Sequence, residues 1–511
     1  MSGGAPAGAS EGPGTTAVVG GQSGPAALPV GSAGAPWSSG VRRGDDGAVE
    51  VAGVGVADVA ADHGTPSYIL DEADFRARAR AYRTAFEAAF AAVGTGVDVY
   101  YAGKALLTVA VARWAREEGL RVDTASGGEL AVALRAGVPG EAIGLHGNNK
   151  SDAEIVRAFE HGVGRIIVDS LAEIDRVAEL AVQHGVVAPV MVRVTTGVHA
   201  GGHEYISTAH EDQKFGLSVS PASGASGQAS RPSGTGTAAS GETAGGAASS
   251  AVDSPAMAAL LRILERPSLR LLGIHSHIGS QILDPDGFEA AARAVLELRA
   301  ELAARTGVLV GEVDLGGGYG IAYLPGEVAL DPERVAKDVA SSVADVAARL
   351  DTPLPRFSIE PGRAIVGPAG MTLYTVGTVK PVTVGGGDGE PFTRLYVSVD
   401  GGMSDNIRPA LYGADYHAEI VGRSSDAEPV LARVVGKHCE SGDIVVHRVM
   451  LPGDVRAGDL LAVAATGAYG RSMASNYNML LRPPVVAVRD GASRVLIRRE
   501  TEDDLLGLDQ G

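Results

Sequence analysis

Cysteine is nearly absent from this sequence: among 511 residues, only Cys439 carries a thiol. No intrachain disulfide can form, which suits the reducing cytoplasm, and a cytoplasmic protein is expected. Also missing are an uncharged run of eighteen strongly apolar residues and a basic segment leading into an apolar one. Neither a membrane span nor a secretory leader is expected. Basic residues are in deficit, 43 against 61 acidic, and the net charge of −18 disfavours nonspecific nucleic-acid binding while leaving room for a local basic pocket around an anionic ligand.

Two stretches lack the residues that build a core. Residues 1–41 hold one charge, Glu11, among Gly, Ala, Ser and Pro, and residues 221–250 contain no Ile, Leu, Val, Met or aromatic. Such segments cannot bury enough surface to offset their ordering entropy. They predict a disordered tail over 1–45 and a low-complexity insertion over 221–250, tolerated because loop closure costs little extra with length.

The whole chain is 45% hydrophobic, enough at this length for two folded domains. Short strands are expected over 49–59 and 67–70. A helix capped by Asp71 then carries Phe75, Tyr82, Phe86 and Phe90 near one face. From there an apolar strand followed by an amphipathic helix recurs, with strands at 97–102, 121–124, 142–146, 165–168, 190–194, 271–275, 311–315 and 356–360. Eight such units predict an α/β fold closed into a parallel, TIM-like (β/α)8 barrel over 71–366. Beyond it, Val-rich runs follow one another without helices between them, at 371–384, 394–399, 419–421, 430–435, 443–446, 460–464 and 485–497. They predict a second, mostly antiparallel β-domain over 367–511. Residues 46–70 are assigned to that domain as well, which puts the barrel inside the β-domain rather than after it.

Polar and glycine-rich residues collect just beyond the strand ends, the face on which such barrels carry their sites. Lys104 follows the first strand in Tyr101-Ala102-Gly103-Lys104, where small neighbours leave room for a flat ligand. It reads either as a solvated cap or as the amine that attaches an aldehyde cofactor. Gly316-Gly317-Gly318-Tyr319-Gly320 follows the seventh strand and can converge backbone N–H groups on a phosphate, or make a tight turn without a ligand. Without the Lys-Ser/Thr ending of a P-loop, ATP and NAD are poor candidates. His275 and His277 alternate to one side of the sixth strand's end, ahead of Gly279-Ser280, so one can lie against a ligand's face. With no Cys or third His in phase they make a poor zinc site, and no metal is expected.

In Glu360-Pro361-Gly362-Arg363 the carboxylate suits a protonated ring nitrogen and the arginine a phosphate or carboxylate; the plainer reading is a salt bridge. Cys439-Glu440-Ser441-Gly442 sets the thiol among polar residues, partly exposed as a reactive thiol must be. Arg408 and Tyr412 offer a carboxylate clamp, and Tyr469 a hydroxyl near the rim.

Taken in this order, from about Gly64 to Arg499, these motifs resemble the fold-type III pyridoxal-phosphate decarboxylases, most closely the branch acting on meso-2,6-diaminopimelate. The resemblance implies that Lys104 holds pyridoxal 5'-phosphate as a Schiff base and that His277 stacks on the ring. It further implies that Ser280, Gly317, Gly318, Tyr319 and Gly320 grip the phosphate, that Glu360 pairs with the ring nitrogen, and that Gly362, Arg363 and Tyr469 complete the cofactor site. Cys439 becomes the proton donor and Glu440 the reader of the substrate's distal end, with Arg363, Arg408, Tyr412 and Tyr469 also contacting substrate. Members of the family are homodimers in which the Cys439-Glu440 loop of one subunit completes the site around Lys104 of the other. The implied reaction yields L-lysine and carbon dioxide, the last step of lysine biosynthesis. Relatives acting on ornithine, arginine or carboxynorspermidine are the alternative, and paired arginines disfavour substrates with no far carboxylate. An alanine racemase relative would need a tyrosine base beside the lysine, and a non-catalytic binding protein would not need Lys104 and Cys439 together.

Overall fold

The computed structural model describes residues 36–197, 214–221, 253–284, 286–385 and 391–511. Residues 1–35 of the expected tail and 222–250 of the expected insertion lie outside them.

Eight strands form the barrel: Val97–Ala102, Arg121–Thr124, Ile143–Leu145, Arg165–Val168, Ala188–Thr195, Leu269–Ser276, Glu312–Asp314 and Arg356–Ile359. Each pairs in parallel with the next. The eighth returns to the first through Phe357 opposite Val97 and Ile359 opposite Val99, which closes the ring. Helices cover the outer face and side chains fill the interior, so both parities of a strand are buried; all four residues of Arg165–Val168 are. Leu217–Ser218, beside the expected insertion, adds a parallel rung to the fifth strand.

The helices start where the sequence supplies a cap. Asp71 accepts from Asp74 N at 3.1 Å to open Glu72–Ala92, whose Phe75, Tyr82, Phe86 and Phe90 are buried. Ser126 and Ser170, polar residues just past strand ends, cap the helices Gly127–Arg135 and Leu171–His184. Their hydroxyls thereby satisfy orphan backbone donors rather than face a ligand.

In the second domain the long strand Gly370–Val384 is the spine. It pairs antiparallel with Ser67–Asp71, Phe392–Val399 and Leu460–Val463. Two pairings in this sheet run parallel, Ser67–Asp71 with Val485–Arg489 and Phe392–Val399 with Pro429–Val435. The run at 485–497 is a hairpin, turning at Asp490 and Gly491, both with positive φ.

The N-terminal region departs from expectation in two places. Residues 49–59 are not one strand: Val49–Val51 and Val54–Gly55 are short strands and Val56–His63 is a helix. Val56 and Val59, three apart, are its buried residues, and in an alanine-rich stretch that spacing favours a helix over a strand. The chain is also structured before residue 46. Val41–Arg43 pairs with Val49–Val51, and Trp37 and Val41 join a satellite core with Val56, Val59, Leu373 and Val486. Among the described residues, no helix is long and apolar enough to cross a membrane.

Candidate active site

Two adjoining cavities, of about 270 and 230 Å³, open at the C-terminal ends of the barrel strands and share Ala102, Lys104, His277 and Glu360. Lys104 sits in a single 3-10 turn, Gly103–Ala105, directly after the first strand, with an exposed side chain. The ground beside it is kept flat by glycine. A Cβ on Gly103 would lie 2.7 Å from Asp123 O, and one on Gly362 would lie 2.9 Å from Ala102 O.

The second cavity is lined by Gly279, Ser280, Gly318, Tyr319, Gly362 and Arg363. Gly318 has φ +115°, and a Cβ there would meet Gly279 O at 2.6 Å. A side chain would close this cradle, while bare backbone leaves N–H groups within reach of an anion. Gly317 donates its N–H to His277 Nδ1 at 3.1 Å, so that ring nitrogen accepts and the tautomer is set. Burial, reinforced by Lys104, holds His277 well below the ordinary imidazole range, and the ring is neutral. Tyr319 contributes backbone only: its ring is 2% exposed and stacks on Phe288 with centroids 4.8 Å apart. Gly317 and Gly320 belong to the same loop but are not among the lining residues.

Above the cradle lie two buried arginines. Arg363 donates from Nη2 to Ser280 Oγ at 2.7 Å and from Nη1 to the hydroxyl of Tyr323. Arg408 donates to that same hydroxyl at 2.9 Å and to the hydroxyl of Tyr416. One phenol thus bridges two guanidiniums. Tyr412 and Tyr469 line the same cavity, with Arg363 4.7 Å from the centre of the Tyr469 ring. Composition around Arg408 suggests Tyr412 as its companion; the fold supplies Tyr323 and Tyr416 instead. Tyr323 follows the glycine run by three residues, and that proximity was the available signal.

Beneath the cavities the barrel interior is charged. Glu360 Oε1 lies 3.1 Å from His275 Nε2 and 3.4 Å from His146 Nε2. Burial pushes this carboxyl up, but His146, His275 and Arg165 together hold it well below the usual carboxylate range. Asp123, also fully buried, is pushed up to about 8 by desolvation and by the Glu360 charge. His275 and His277 therefore play separate parts, the first bonding Glu360 and the second facing the cavities. His146, His275 and Glu360 bring ligand atoms within 4.8 Å of one another, a spacing a metal could use. Arg165 Nη2, 3.9 Å from the same Glu360 oxygen, already provides positive charge there, and a second cation would be repelled.

Cys439 and Glu440 stand apart. Neither lines either cavity, both are exposed, and the loop is pinned by Asn478 Oδ1, which accepts from Cys439 N at 3.2 Å. Within one chain, the fold does not bring the expected proton donor to the expected cofactor lysine.

This barrel has counterparts among characterised proteins. A family described as "Pyridoxal-dependent decarboxylase, pyridoxal binding domain" matches residues 72–233 and 245–367. The diaminopimelate decarboxylase of Mycobacterium tuberculosis is 49% identical over 477 residues, covering 93% of this chain and 97% of its own. That of Bacillus subtilis is 40% identical over 468 residues, covering 92% and 96%. Among solved structures, the M. jannaschii diaminopimelate decarboxylase in co-complex with L-lysine superposes with a TM-score of 0.77 at 30% identity, covering 93% of this chain and 98% of that one. A barrel matched by the pyridoxal binding domain and an identity of 49% over nearly the whole length establish that the chain belongs to the diaminopimelate decarboxylases.

Proposed function

We propose that this chain decarboxylates meso-2,6-diaminopimelate to L-lysine and carbon dioxide, with pyridoxal phosphate attached at Lys104. The observation that carries the reading is the placement of two buried arginines, joined through Tyr323, in the same cavity as an exposed lysine amine. A substrate with a carboxylate at its far end needs such donors, and a simple diamine precursor does not.

The residues present fit the cofactor. A glycine cradle that a Cβ would fill lies beside Ser280 and Arg363, donors suited to a phosphate, and Glu360 is an anion at the cavity floor, suited to a protonated ring nitrogen. When bound, pyridoxal phosphate supplies the electron sink for the pair left behind as carbon dioxide departs. The chain does the rest. Lys104 would hold the cofactor through its amine, and His277, neutral and fixed by Gly317, would present a flat face to the ring. Arg363, Arg408, Tyr412 and Tyr469 orient the substrate. Cys439 delivers the proton from Sγ to the carbon that lost its carboxylate, and Glu440 takes the distal ammonium.

Because Cys439 and Glu440 line neither cavity of their own chain, we propose a homodimer in which a second copy supplies them. Acidic net charge supports a protein that leaves nucleic acid alone, and a thiol that must stay reduced suits the cytoplasm. Mixing Lys104→Ala and Cys439→Ala chains tests the shared site. Each is inactive alone, and random reassortment makes about half the dimers mixed, each with one intact site, so about a quarter of the wild-type carbon dioxide release should return. Subunit exchange without recovery would overturn the shared site. Turnover of ornithine in preference to diaminopimelate would overturn the substrate.

A further inference from the structure

Arg165 is a buried cation at the centre of the barrel that the proposed reaction leaves unused. It opens the fourth strand and is 2% exposed. Its Nη2 lies 2.6 Å from Asp314 Oδ2 and 3.5 Å from Asp123 Oδ1, besides its approach to Glu360. Its Nη1 donates to Ser358 Oγ at 2.8 Å, and Ser358 in turn donates to Asp314 Oδ2 at 2.7 Å. The guanidinium carbon sits 3.5 Å from the centre of the Tyr100 ring. Five strands, the first, second, fourth, seventh and eighth, thus meet at one planar side chain. Ser358 lies two residues before Glu360, on the same side of the eighth strand, so the fork grips the strand that carries Glu360.

Three carboxyl groups, Asp123, Asp314 and Glu360, are buried together here. Asp123, pushed up to about 8, holds a proton near neutral pH, and the Arg165 guanidinium offsets the charge that remains. The other groups facing Glu360 are His146 just past the third strand, Arg193 on the fifth, His275 on the sixth and His277 just past it, with Lys104 above. Burial pushes His146 and His277 down from the ordinary imidazole range, while Arg193 lies against the ring of Phe215, 4.6 Å from its centre, on the cavity wall. Of the two arginines, Arg165 is the one with direct ion-pair contacts to all three carboxylates.

We propose that Arg165 is a positioning residue for the cofactor ring: its fork holds the eighth strand through Ser358 and Asp314 and keeps Glu360 an anion aimed at the ring nitrogen. The inference rests on the assignment of Glu360 to that nitrogen.

The test compares Arg165→Met, Arg165→Lys and Glu360→Gln with the wild type, each loaded with pyridoxal phosphate. The readouts are the visible absorbance of the bound cofactor, its dissociation constant, and kcat and KM for diaminopimelate. In Arg165→Met, kcat should fall about tenfold or more, a barrier change of about 1.4 kcal/mol. KM should stay within about twofold, since the substrate clamp is untouched. Cofactor binding should weaken, and the absorbance should move in the direction seen in Glu360→Gln. Wild-type absorbance and kcat in Arg165→Met beside an altered Glu360→Gln overturn the role of Arg165 alone. A Glu360→Gln protein with wild-type absorbance overturns the assignment of Glu360, and this proposal with it. Where Arg165→Met does not fold, Arg165→Lys decides: lysine keeps the charge but cannot hold Ser358 and Asp314 in one planar fork, so wild-type kcat and absorbance there overturn the positioning role.

Discussion

Replacing Tyr323 by Phe removes one oxygen and leaves two guanidiniums without their common acceptor. Arg363 keeps Ser280, and Arg408 keeps Tyr416, so neither charge is stranded, but the link that sets their spacing is gone. A hydrogen bond to a charged group is worth about 1.5–3 kcal/mol. With each arginine retaining a partner, we take about 2 kcal/mol for the pair of lost bonds, at the lower end because the two are not additive. Since the clamp meets the substrate before and during reaction alike, the loss should appear in KM, raised about thirtyfold, with kcat nearly unchanged. Steady-state carbon dioxide release over a range of diaminopimelate concentrations measures both, and a thermal melt separates clamp loss from unfolding. Tyr416→Phe, which removes a hydrogen bond from Arg408 and none from Arg363, should raise KM less. A KM within about twofold of wild type in a folded Tyr323→Phe protein would refute the bridge, and a fall in kcat at constant KM would assign Tyr323 to the chemistry instead.

Gly318→Ala should weaken pyridoxal phosphate binding by about tenfold or more, because its φ disfavours a side chain and its Cβ would strike Gly279 O; Gly128→Ala, whose nearest neighbour is Ser126 Oγ at 3.7 Å, is the control, and a cofactor titration reads both. Burial of Asp405 pushes its carboxyl up to about 7, above the unfolded value near ~3.9. Between those values the native state holds a proton that the unfolded chain releases, so stability falls as pH rises from about 4 to about 7 and levels off above it, the whole effect being at most about 4 kcal/mol. Asp405→Asn should therefore gain in melting temperature relative to wild type between pH ~5 and ~8, and a difference constant across that range would sink the reading. Phe86→Ala, which empties a fully buried site between Tyr82, Phe90 and Tyr319, should cost about 3–5 kcal/mol in denaturant unfolding.

The barrel was legible because a buried parallel strand leaves a compact mark, a short apolar run ending in glycine or a polar residue. Lys104, His277, Glu360 and Arg363 could be found because each follows such a run. The interior network could not be found that way: Asp123, Arg165 and Asp314 stand within the runs, and no periodicity says which strands face one another across a closed ring. A charged residue inside an otherwise apolar strand was the available mark. Tyr323 and Tyr416 escape for a different reason, since sequence offers Arg408 only its near neighbours while the fold recruits hydroxyls 85 and 8 residues away. At Val56–His63 the flanking valines, which are β-formers, mask a helical spacing of three. The separation of Cys439 from Lys104 leaves no mark in strand or helix pattern; the family resemblance alone implies a site shared between two chains.

The pairing of Ser67–Asp71 with Gly370–Val384 also has a cost in time. Ser67 leaves the ribosome about 300 residues before Leu373, its partner across the sheet, and at about 5–20 residues per second that is a wait of about 15–60 s. Throughout it the early strand has both edges open, while the barrel's strands can pair with neighbours as they emerge. Translation order therefore leaves this apolar strand exposed beside a barrel that cannot close until Arg356–Ile359 emerges, the species a chaperone would meet first. Only when the last strands arrive, Val485–Arg489 on the other edge, is the N-terminal region locked. The catalytic scaffold would be finished before the sheet that frames it.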